Sequence, residues 1–148
     1  PPPLVIGPDA KGNLSRLIKA VMRKLPLPLA SINNKRQYIG VRNLSLFIQK
    51  CIESDNAVNK TFLVANEEVL STAELIKEIA ACLGTRAYLL PFSQKVLYLI
   101  LKLLGKEKEY YQIAGDMLIN SDYANEALAW KNPYTLRQEI EYSLGNRN

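Results

Sequence analysis

Arg36 is the residue of this sequence whose side-chain chemistry points most directly to a ligand. It lies in residues 33–44, NNKRQYIGVRNL, where alternating apolar residues predict a strand over residues 36–41. Asn43 is expected to be the N-cap of a helix that begins at Leu44. A guanidinium group at the start of a fixed strand can hold phosphate oxygens through two parallel hydrogen bonds. The sequence therefore suggests a phosphate site at Arg36, although a solvated surface arginine fits the same pattern.

Tyr98 and Lys102 have the Tyr-x-x-x-Lys spacing of nicotinamide-dependent dehydrogenases, in which the lysine lowers the pKa of the tyrosine. The spacing places both residues on one helical face. They lie, however, in the apolar run 96–104, and the sequence has no histidine, G-x-G-x-x-G, P-loop or paired-cysteine motif. We interpret the match as a coincidence, with Tyr98 in the core and the amine of Lys102 extending to solvent.

The composition indicates one globular domain with a sizeable core, because 48% of the 148 residues are hydrophobic and 22% are charged. The net charge of +5 is spread along the chain, which favours an anionic small ligand or plain solubility over a nucleic-acid surface. Cys51 and Cys82 are expected to be buried reduced thiols, as in a cytoplasmic protein. The longest apolar run, residues 96–104, is too short to span a bilayer.

The elements that must position Arg36 are short strands and amphipathic helices. Strands are predicted at residues 4–6, 36–41, 61–65, 87–90 and 117–119, and helices begin near Asn13, Leu44, Ser71, Ser93, Ser121 and Thr135. Capping boxes are expected at Ser71 with Glu74 and at Thr135 with Gln138. Residues 106–109 are predicted to form a charged link. The result is an α/β chain that is rich in helices.

Two segments before Arg36 also carry predictions. The prolines of residues 25–32 keep that segment extended, so its backbone amides and carbonyls should be free to contact a planar group. The helix that starts at Asn13, next to Lys11, offers unpaired amides to an anion and has an apolar stripe. That stripe is predicted to contain Leu14, Leu17, Ile18, Val21, Met22 and Leu25. Its basic face (Arg16, Lys19, Arg23, Lys24) is expected to be solvated, the alternative being a module that binds nucleic acid or an acidic membrane.

Five segments in this order resemble a known family, although each motif alone is loose. They are residues 1–8, 11–19, 25–45, 61–80 and 122–140. Together they resemble the C-terminal half of the extended short-chain dehydrogenase/reductase family. The nearest group is the NAD-dependent epimerases and dehydratases of nucleotide sugars, such as UDP-glucose 4-epimerase-like enzymes.

The resemblance implies a role for five residues. In that family the Rossmann half holds NAD and the catalytic Ser/Thr, Tyr and Lys, and the C-terminal half binds the UDP or TDP of the substrate. By resemblance, Asn13 would lie near the nucleotide phosphates and Arg36 would bind the diphosphate. The backbone around Leu27, Pro28 and Leu29 would lie beside the uracil. Residues 1–8 would be the strand that crosses from the Rossmann half.

The sequence departs from the family pattern at several positions. Pro1 replaces an arginine, Ile6 replaces a tyrosine, and Ile113 stands where galactose epimerases have a second phosphate-binding arginine. The resemblance therefore leaves open which sugar is bound and how strongly the diphosphate is held. Leu128 to Trp130 corresponds to the family's Leu-Gly-Trp, a structural signature.

The resemblance leads to one expectation for the chain as a whole. Residues 1–148 would form a substrate domain of a Rossmann-like enzyme whose dinucleotide-binding half is absent, so this part would be catalytically silent and bind no cofactor. The parent enzyme would use NAD to epimerise a UDP- or TDP-sugar at C4, or alternatively act as a 4-keto-sugar reductase or dehydratase. We expect no nucleic-acid or membrane partner, and self-association through the surface that would face the missing half.

Overall fold

The computed structural model describes residues 3–8 and 12–145, which divide into two compact units. Within this described part, the first unit contains residues 3–8, 37–69 and 118–145, and the second contains residues 12–36 and 70–117. The backbone passes back and forth between them, so neither unit is one continuous stretch of sequence. The sequence had indicated a single domain over residues 1–148.

The described elements alternate short strands with helices, which confirms the predicted helix-rich α/β class. They are β1 (Leu4–Ile6), α1 (Asn13–Met22), β2 (Arg36–Gly40), α2 (Val41–Ile52), a 3₁₀ turn (Asp55–Ala57), β3 (Val69–Leu70), α3 (Thr72–Cys82), α4 (Gln94–Leu103), α5 (Glu107–Ala114), α6 (Asp122–Leu128) and α7 (Leu136–Gly145). The sheet has the order β1-β2-β3, with β1 parallel to β2 and Ile6 opposite Gly40. None of these helices is long and apolar enough to cross a membrane.

The core of the first unit is built around aromatic side chains on α2 and the segments that pack on it. Phe47 of α2 makes edge-to-face contacts with Phe62 and Trp130, with ring centroids 6.0 and 5.3 Å apart. Ile39 of β2 and Leu128 of α6 are buried in the same cluster. Trp130 therefore has the structural role that the sequence suggested.

The core of the second unit forms where α1 packs against α3. Leu14, Ile18 and Val21 of α1 are buried, as the apolar stripe predicted. The prediction was wrong for Met22 and Leu25, which are about half exposed. The helix ends at Met22, and the backbone at Lys24 is left-handed, so Leu25 is carried out of the helical stripe.

Both capping boxes are confirmed by their hydrogen bonds. The amide of Glu74 donates to the Ser71 hydroxyl at 3.1 Å, and the amide of Ser71 donates to the Glu74 carboxylate at 2.7 Å. In the same way, the amide of Gln138 donates to the Thr135 hydroxyl at 3.3 Å, and the amide of Thr135 donates to Oε1 of Gln138 at 2.9 Å. Local patterns of this kind depend on residues three apart, which is why the sequence located them.

The predictions of strands at residues 61–65, 87–90 and 117–119 were wrong, and so was the prediction of a charged link at residues 106–109. Residues 61–65 form no strand: Phe62 and Val64 pack in the core of the first unit, while Leu63 is more than half exposed. Residues 87–90 and 117–119 contribute only isolated bridges, at Leu89 and Met117. The charged residues 107–109 begin α5, where carboxylates in the first turn interact favourably with the positive end of the helix dipole.

Asn43 is not an N-cap, which corrects another prediction. α2 begins at Val41 with Gly40 as its N-cap, and Asn43 is fully buried inside the helix. Its side-chain amide donates to the carbonyl of Tyr134 at 2.8 Å and to Oδ1 of Asn66 at 3.2 Å. These partners are distant in sequence, so the local pattern could not reveal them.

The two cysteines were predicted to be buried, and both are half-buried instead. Neither forms a disulfide. Burial raises the pKa of the Cys51 thiol, which favours its protonated form. Cys82 is the last residue of α3.

Candidate functional site

Arg36 begins β2 and its side chain belongs to the second unit, where the residue is only 8% exposed. Its Nη1 donates to the carbonyls of Gln112 and Gly115, at 2.8 and 2.9 Å. These carbonyls lie at the C-terminal end of α5, where the helix dipole is negative and favours a cation. The guanidinium group is therefore held in one orientation.

The other edge of this guanidinium group is unpaired within residues 3–8 and 12–145. No described acceptor binds Nε or Nη2, and no described carboxylate forms an ion pair with Arg36. Neither atom is among the fully buried polar atoms that lack a partner in this part of the structure, so this edge is open to the surface. An anion placed against Nε and Nη2 would form a charge-assisted pair of hydrogen bonds there.

Asn13 and Arg36 are brought together by Gln112, which the sequence analysis missed. Nδ2 of Asn13 donates to Oε1 of Gln112 at 2.7 Å, while the backbone carbonyl of Gln112 accepts from Arg36. Gln112 lies on α5, in a segment whose helical character was not predicted. The sequence offered no signal for it because the partners are 76 and 99 residues away.

The start of α1 adds a second group of donors near Asn13. Gly12 is the N-cap, with a φ of 75°, and no described side chain caps the helix. The first amides of a helix have no partner within the helix, and they carry the positive end of its dipole. Lys11, which the sequence placed beside this end, lies outside the described residues.

Asn34 and Thr72 fix the loop that precedes Arg36. Nδ2 of Asn34 donates to the carbonyls of Ile113 and Gly115, at 3.0 and 2.9 Å, and its Oδ1 accepts from the amide of Thr72 at 2.9 Å. Asn34 is buried, so these bonds are shielded from water. The end of α5 thus binds both Asn34 and Arg36, which holds the start of β2 in place.

The backbone of residues 27–29 is not free, contrary to the prediction from its prolines. The amide of Leu27 donates to the carbonyl of Tyr88, and the carbonyl of Leu27 accepts from the amide of Leu90, both at 2.8 Å. The amide of Leu29 donates to the carbonyl of Leu27 at 2.9 Å. The segment is occupied because Leu27 forms an isolated parallel bridge with Leu89. Pro28 has no amide, and no described donor reaches its carbonyl.

Tyr98 and Lys102 do not form the pair that their spacing allows. The Tyr98 hydroxyl donates to the Glu107 carboxylate at 2.6 Å, and this bond, together with burial, raises the pKa of Tyr98 above its usual value of 10. The amine of Lys102 lies 5.6 Å from the centre of the Tyr98 ring. A catalytic pair requires the opposite shift in pKa, so the geometry supports the interpretation as a coincidence. Tyr110 packs edge-on against Tyr98.

Of the cavities lined by described residues, two lie on the surface of the first unit, and neither of these contains a predicted site residue. One of about 180 Å³ is lined by polar side chains and two apolar residues: Gln37, Ala65, Glu67, Ile119, Ser121, Asp122, Asn125 and Asn132. The other, of about 420 Å³, is lined by Lys50, Glu53, Ser54, Asp55 and Asn56. No cluster of three or more metal-ligating side chains occurs among the described residues.

The sequence is similar to that of a characterised enzyme. UDP-glucose 4-epimerase from Vibrio cholerae is 35% identical over 138 residues, which are 93% of this chain and 42% of that protein, its C-terminal part. The chain is related to the C-terminal part of an extended short-chain dehydrogenase/reductase. This confirms the resemblance on which the site residues were predicted. No protein-family model matches the chain.

Solved structures show that this relative of the epimerases also has their fold. The UDP-N-acetylglucosamine 4-epimerase from Bacillus cereus superposes with a TM-score of 0.71 at 17% identity, covering 99% of this chain and 45% of that one. A human epimerase family protein, solved with NADPH, superposes with a TM-score of 0.74 at 14% identity, and the match covers 99% of this chain and 47% of that one. UDP-glucose 4-epimerase from Thermotoga maritima, solved with UDP-glucose, superposes with a TM-score of 0.66 at 14% identity, and the match covers 97% of this chain and 43% of that one. The chain spans less than half the length of each.

Proposed function

We propose that this chain binds the nucleoside diphosphate of a UDP- or TDP-sugar for an NAD-dependent 4-epimerase. The observation that carries the proposal is the guanidinium group of Arg36, which is buried, fixed through Nη1, and unpaired at Nε and Nη2 among the described residues. A diphosphate oxygen pair fits that edge in geometry and in charge. The Vibrio cholerae relative is named a UDP-glucose 4-epimerase, and the Thermotoga maritima structure contains UDP-glucose.

Asn13 is proposed to lie beside the same diphosphate. Gln112 already ties Asn13 to Arg36, so both residues can face one ligand. The uncapped start of α1 adds amide donors and the positive end of a helix dipole, which together favour an anion. Neither contribution requires a second arginine at the position of Ile113.

The base is proposed to lie against residues 27–29, as the resemblance implies. Because the amides of Leu27 and Leu29 are already hydrogen-bonded, the contact there would be mainly apolar, from the side chains of Leu27 and Pro28. The carbonyl of Pro28 is the backbone acceptor that remains open in this part of the structure. This arrangement would hold the ring of the base more by packing than by backbone hydrogen bonds.

NAD is proposed to bind outside this chain. The sequence has no glycine-rich dinucleotide motif, so we assign NAD and the hydride transfer at C4 to the part of the relatives that this chain does not cover. This chain would contribute substrate binding remote from the reacting carbon, which places the sugar correctly. A 4-keto-sugar reductase or dehydratase would bind its nucleotide similarly, so the epimerase assignment depends on the relatives. The proposed location is the cytoplasm.

Titration of UDP into the isotopically labelled chain, followed by NMR, tests the proposal. We expect chemical-shift changes at Asn13, at residues 27–29 and at Arg36, and about tenfold or weaker binding for Arg36→Ala. Arg23→Ala, which removes an exposed arginine of the same unit, should bind UDP normally. Thermal unfolding of Arg36→Ala checks that the loss is not a loss of folding.

Uridine provides the matched ligand control because it lacks the diphosphate. Uridine should bind more weakly than UDP, and its affinity should be the same for the unsubstituted chain and for Arg36→Ala. The proposal would be rejected by shifts scattered away from these residues, or by an Arg36→Ala effect of equal size for uridine and UDP.

A further inference from the structure

We propose that α4 is a docking helix that lies on an anionic membrane surface. The apolar face of α4 consists of Val96, Leu99, Ile100 and Leu103, which are spaced as i, i+3, i+4 and i+7 and are between 42 and 79% exposed. Four large apolar side chains on one exposed helical stripe differ from the single surface leucines of ordinary proteins. The inference is independent of the proposed nucleotide site.

The other side of α4 already has its packing partner within the second unit. Leu97 is buried, and Tyr98 contacts Tyr110 and Glu107 of α5. The exposed apolar face is therefore directed away from α5. It is separate from the apolar residues that anchor the helix in the second unit. Surface helices of globular proteins usually carry one apolar stripe, which faces the core, so a second, exposed stripe on α4 suggests that a further apolar environment covers it.

The charges around this face identify the environment. Lys95 and Lys102 are seven residues apart and so border the same side of the apolar face, and Lys106 follows the helix. Residues 79–106 contain no aspartate or glutamate. The next carboxylate along the chain, Glu107, accepts the hydrogen bond of the Tyr98 hydroxyl on the side of α4 that faces α5. An apolar stripe bordered by lysines of the same helix matches an interfacial helix whose apolar residues enter the lipid while its lysines contact anionic headgroups.

A second copy of the chain fits the same face less well. Two copies meeting through the apolar face of α4 would bring Lys95 and Lys102 of each close to the lysines of the other, without a carboxylate in the helix to compensate. Anionic lipid compensates these charges directly. The proposal differs from the sequence-based expectation of no membrane partner, and it concerns surface contact rather than a membrane-spanning helix.

Co-sedimentation with vesicles tests the proposal. The chain should bind vesicles of equimolar phosphatidylglycerol and phosphatidylcholine, less so as salt is added, and should bind pure phosphatidylcholine much more weakly. Leu99→Gln combined with Leu103→Gln should weaken binding by about tenfold or more. Lys95→Gln and Lys102→Gln should each weaken it about fivefold on the anionic vesicles. Ile52→Gln, at an exposed apolar residue of α2, is the matched control and should have no effect.

Thermal unfolding should be unchanged in these variants, because the substituted side chains are exposed. The proposal is overturned if anionic vesicles do not bind the chain, or if neutral vesicles bind it equally well. It is also overturned if light scattering shows a dimer that Leu99→Gln with Leu103→Gln dissociates while vesicle binding is unaffected, because the face would then join two copies.

Discussion

Gly40 leaves the space that the buried carboxylate of Glu139 occupies. A Cβ atom placed on Gly40 would lie 2.0 Å from Cδ and Cγ of Glu139. Glu139 is fully buried, where it accepts a hydrogen bond from the amide of Asn43 at 3.0 Å and pairs with Nε of Arg42 at 3.3 Å. The guanidinium group of Arg42 in turn lies 3.8 Å from the ring centre of Tyr134. The junction of β2 and α2 thus depends on the absence of a side chain at position 40.

Gly40→Ala is therefore expected to lower the free energy of unfolding by about 1–3 kcal/mol, because the new methyl group forces Glu139 from its site. Chemical denaturation measures the loss. Gly145→Ala, where a Cβ would meet nothing, should change stability by less than about 0.5 kcal/mol. The double variant, Gly40→Ala with Glu139→Ala, should lose less free energy of unfolding than the two single variants lose together, because the new methyl group no longer meets the Glu139 side chain. Strict additivity would contradict the proposed contact.

Asn43 offers a test that separates an N-cap from a buried network. Asp replaces Asn well at an N-cap, so Asn43→Asp would be neutral if the sequence-based prediction were right. In the structure Asn43 donates to the carbonyl of Tyr134 and to Oδ1 of Asn66, so a carboxylate there would face two acceptors. We expect Asn43→Asp and Asn43→Ala each to lower the free energy of unfolding by about 2–4 kcal/mol. Equal stability of Asn43→Asp and the unsubstituted chain would refute the network.

Glu74 should make the stability of α3 depend on pH. The amide of Ser71, followed by its hydroxyl, lowers the pKa of Glu74 below its usual 4.5. Because the folded-state pKa is the lower one, this contribution is present above pH 4.5 and is lost as the pH falls through the folded-state pKa.

The measurement for Glu74 is urea denaturation at neutral and at acid pH. Glu74→Gln should lower the free energy of unfolding by about 0.3–1 kcal/mol at neutral pH, where the side chain is well solvated, and by much less in acid. Glu126→Gln, whose carboxylate makes no described hydrogen bond, should show no such difference. A loss that persists unchanged in acid would contradict the role of the charge.

Tyr98 should ionise later than an ordinary tyrosine. Its hydrogen bond to Glu107 raises its pKa above 10, so the phenol stays protonated as other tyrosines begin to titrate. Since the folded-state pKa is raised, any stability that this bond contributes is present below pH 10 and is lost as the pH rises through the folded-state pKa.

The pKa of Tyr98 is measured by following tyrosinate absorbance while the folded chain is titrated with base. Tyr98→Phe should remove one late-titrating group, and Lys102→Ala should leave the late transition in place. A Tyr98 that titrated early and depended on Lys102 would instead restore the catalytic interpretation of their spacing.

The sequence by itself determined the features that depend on neighbours a few residues apart. The capping boxes at Ser71 and Thr135, the strand that begins at Arg36 and the buried positions of α1 follow from hydrogen bonds or periodicities within one or two turns. The order of five loose segments also indicated the family, which the Vibrio cholerae relative supports.

Only the tertiary structure decided which residues meet. Gln112 joins Asn13 to Arg36 across 99 and 76 residues, and Glu139 reaches Asn43 across 96. Glu139 accepts from the amide of Asn43 in the first turn of α2, which begins at Val41 and not at Leu44. The carbonyls of Tyr88 and Leu90 accept from the amides of Leu27 and Ala30, which the prolines of residues 25–32 were expected to leave free. Buried polar groups must find a partner wherever the fold supplies one, and that partner is set by packing in space, which local sequence does not encode.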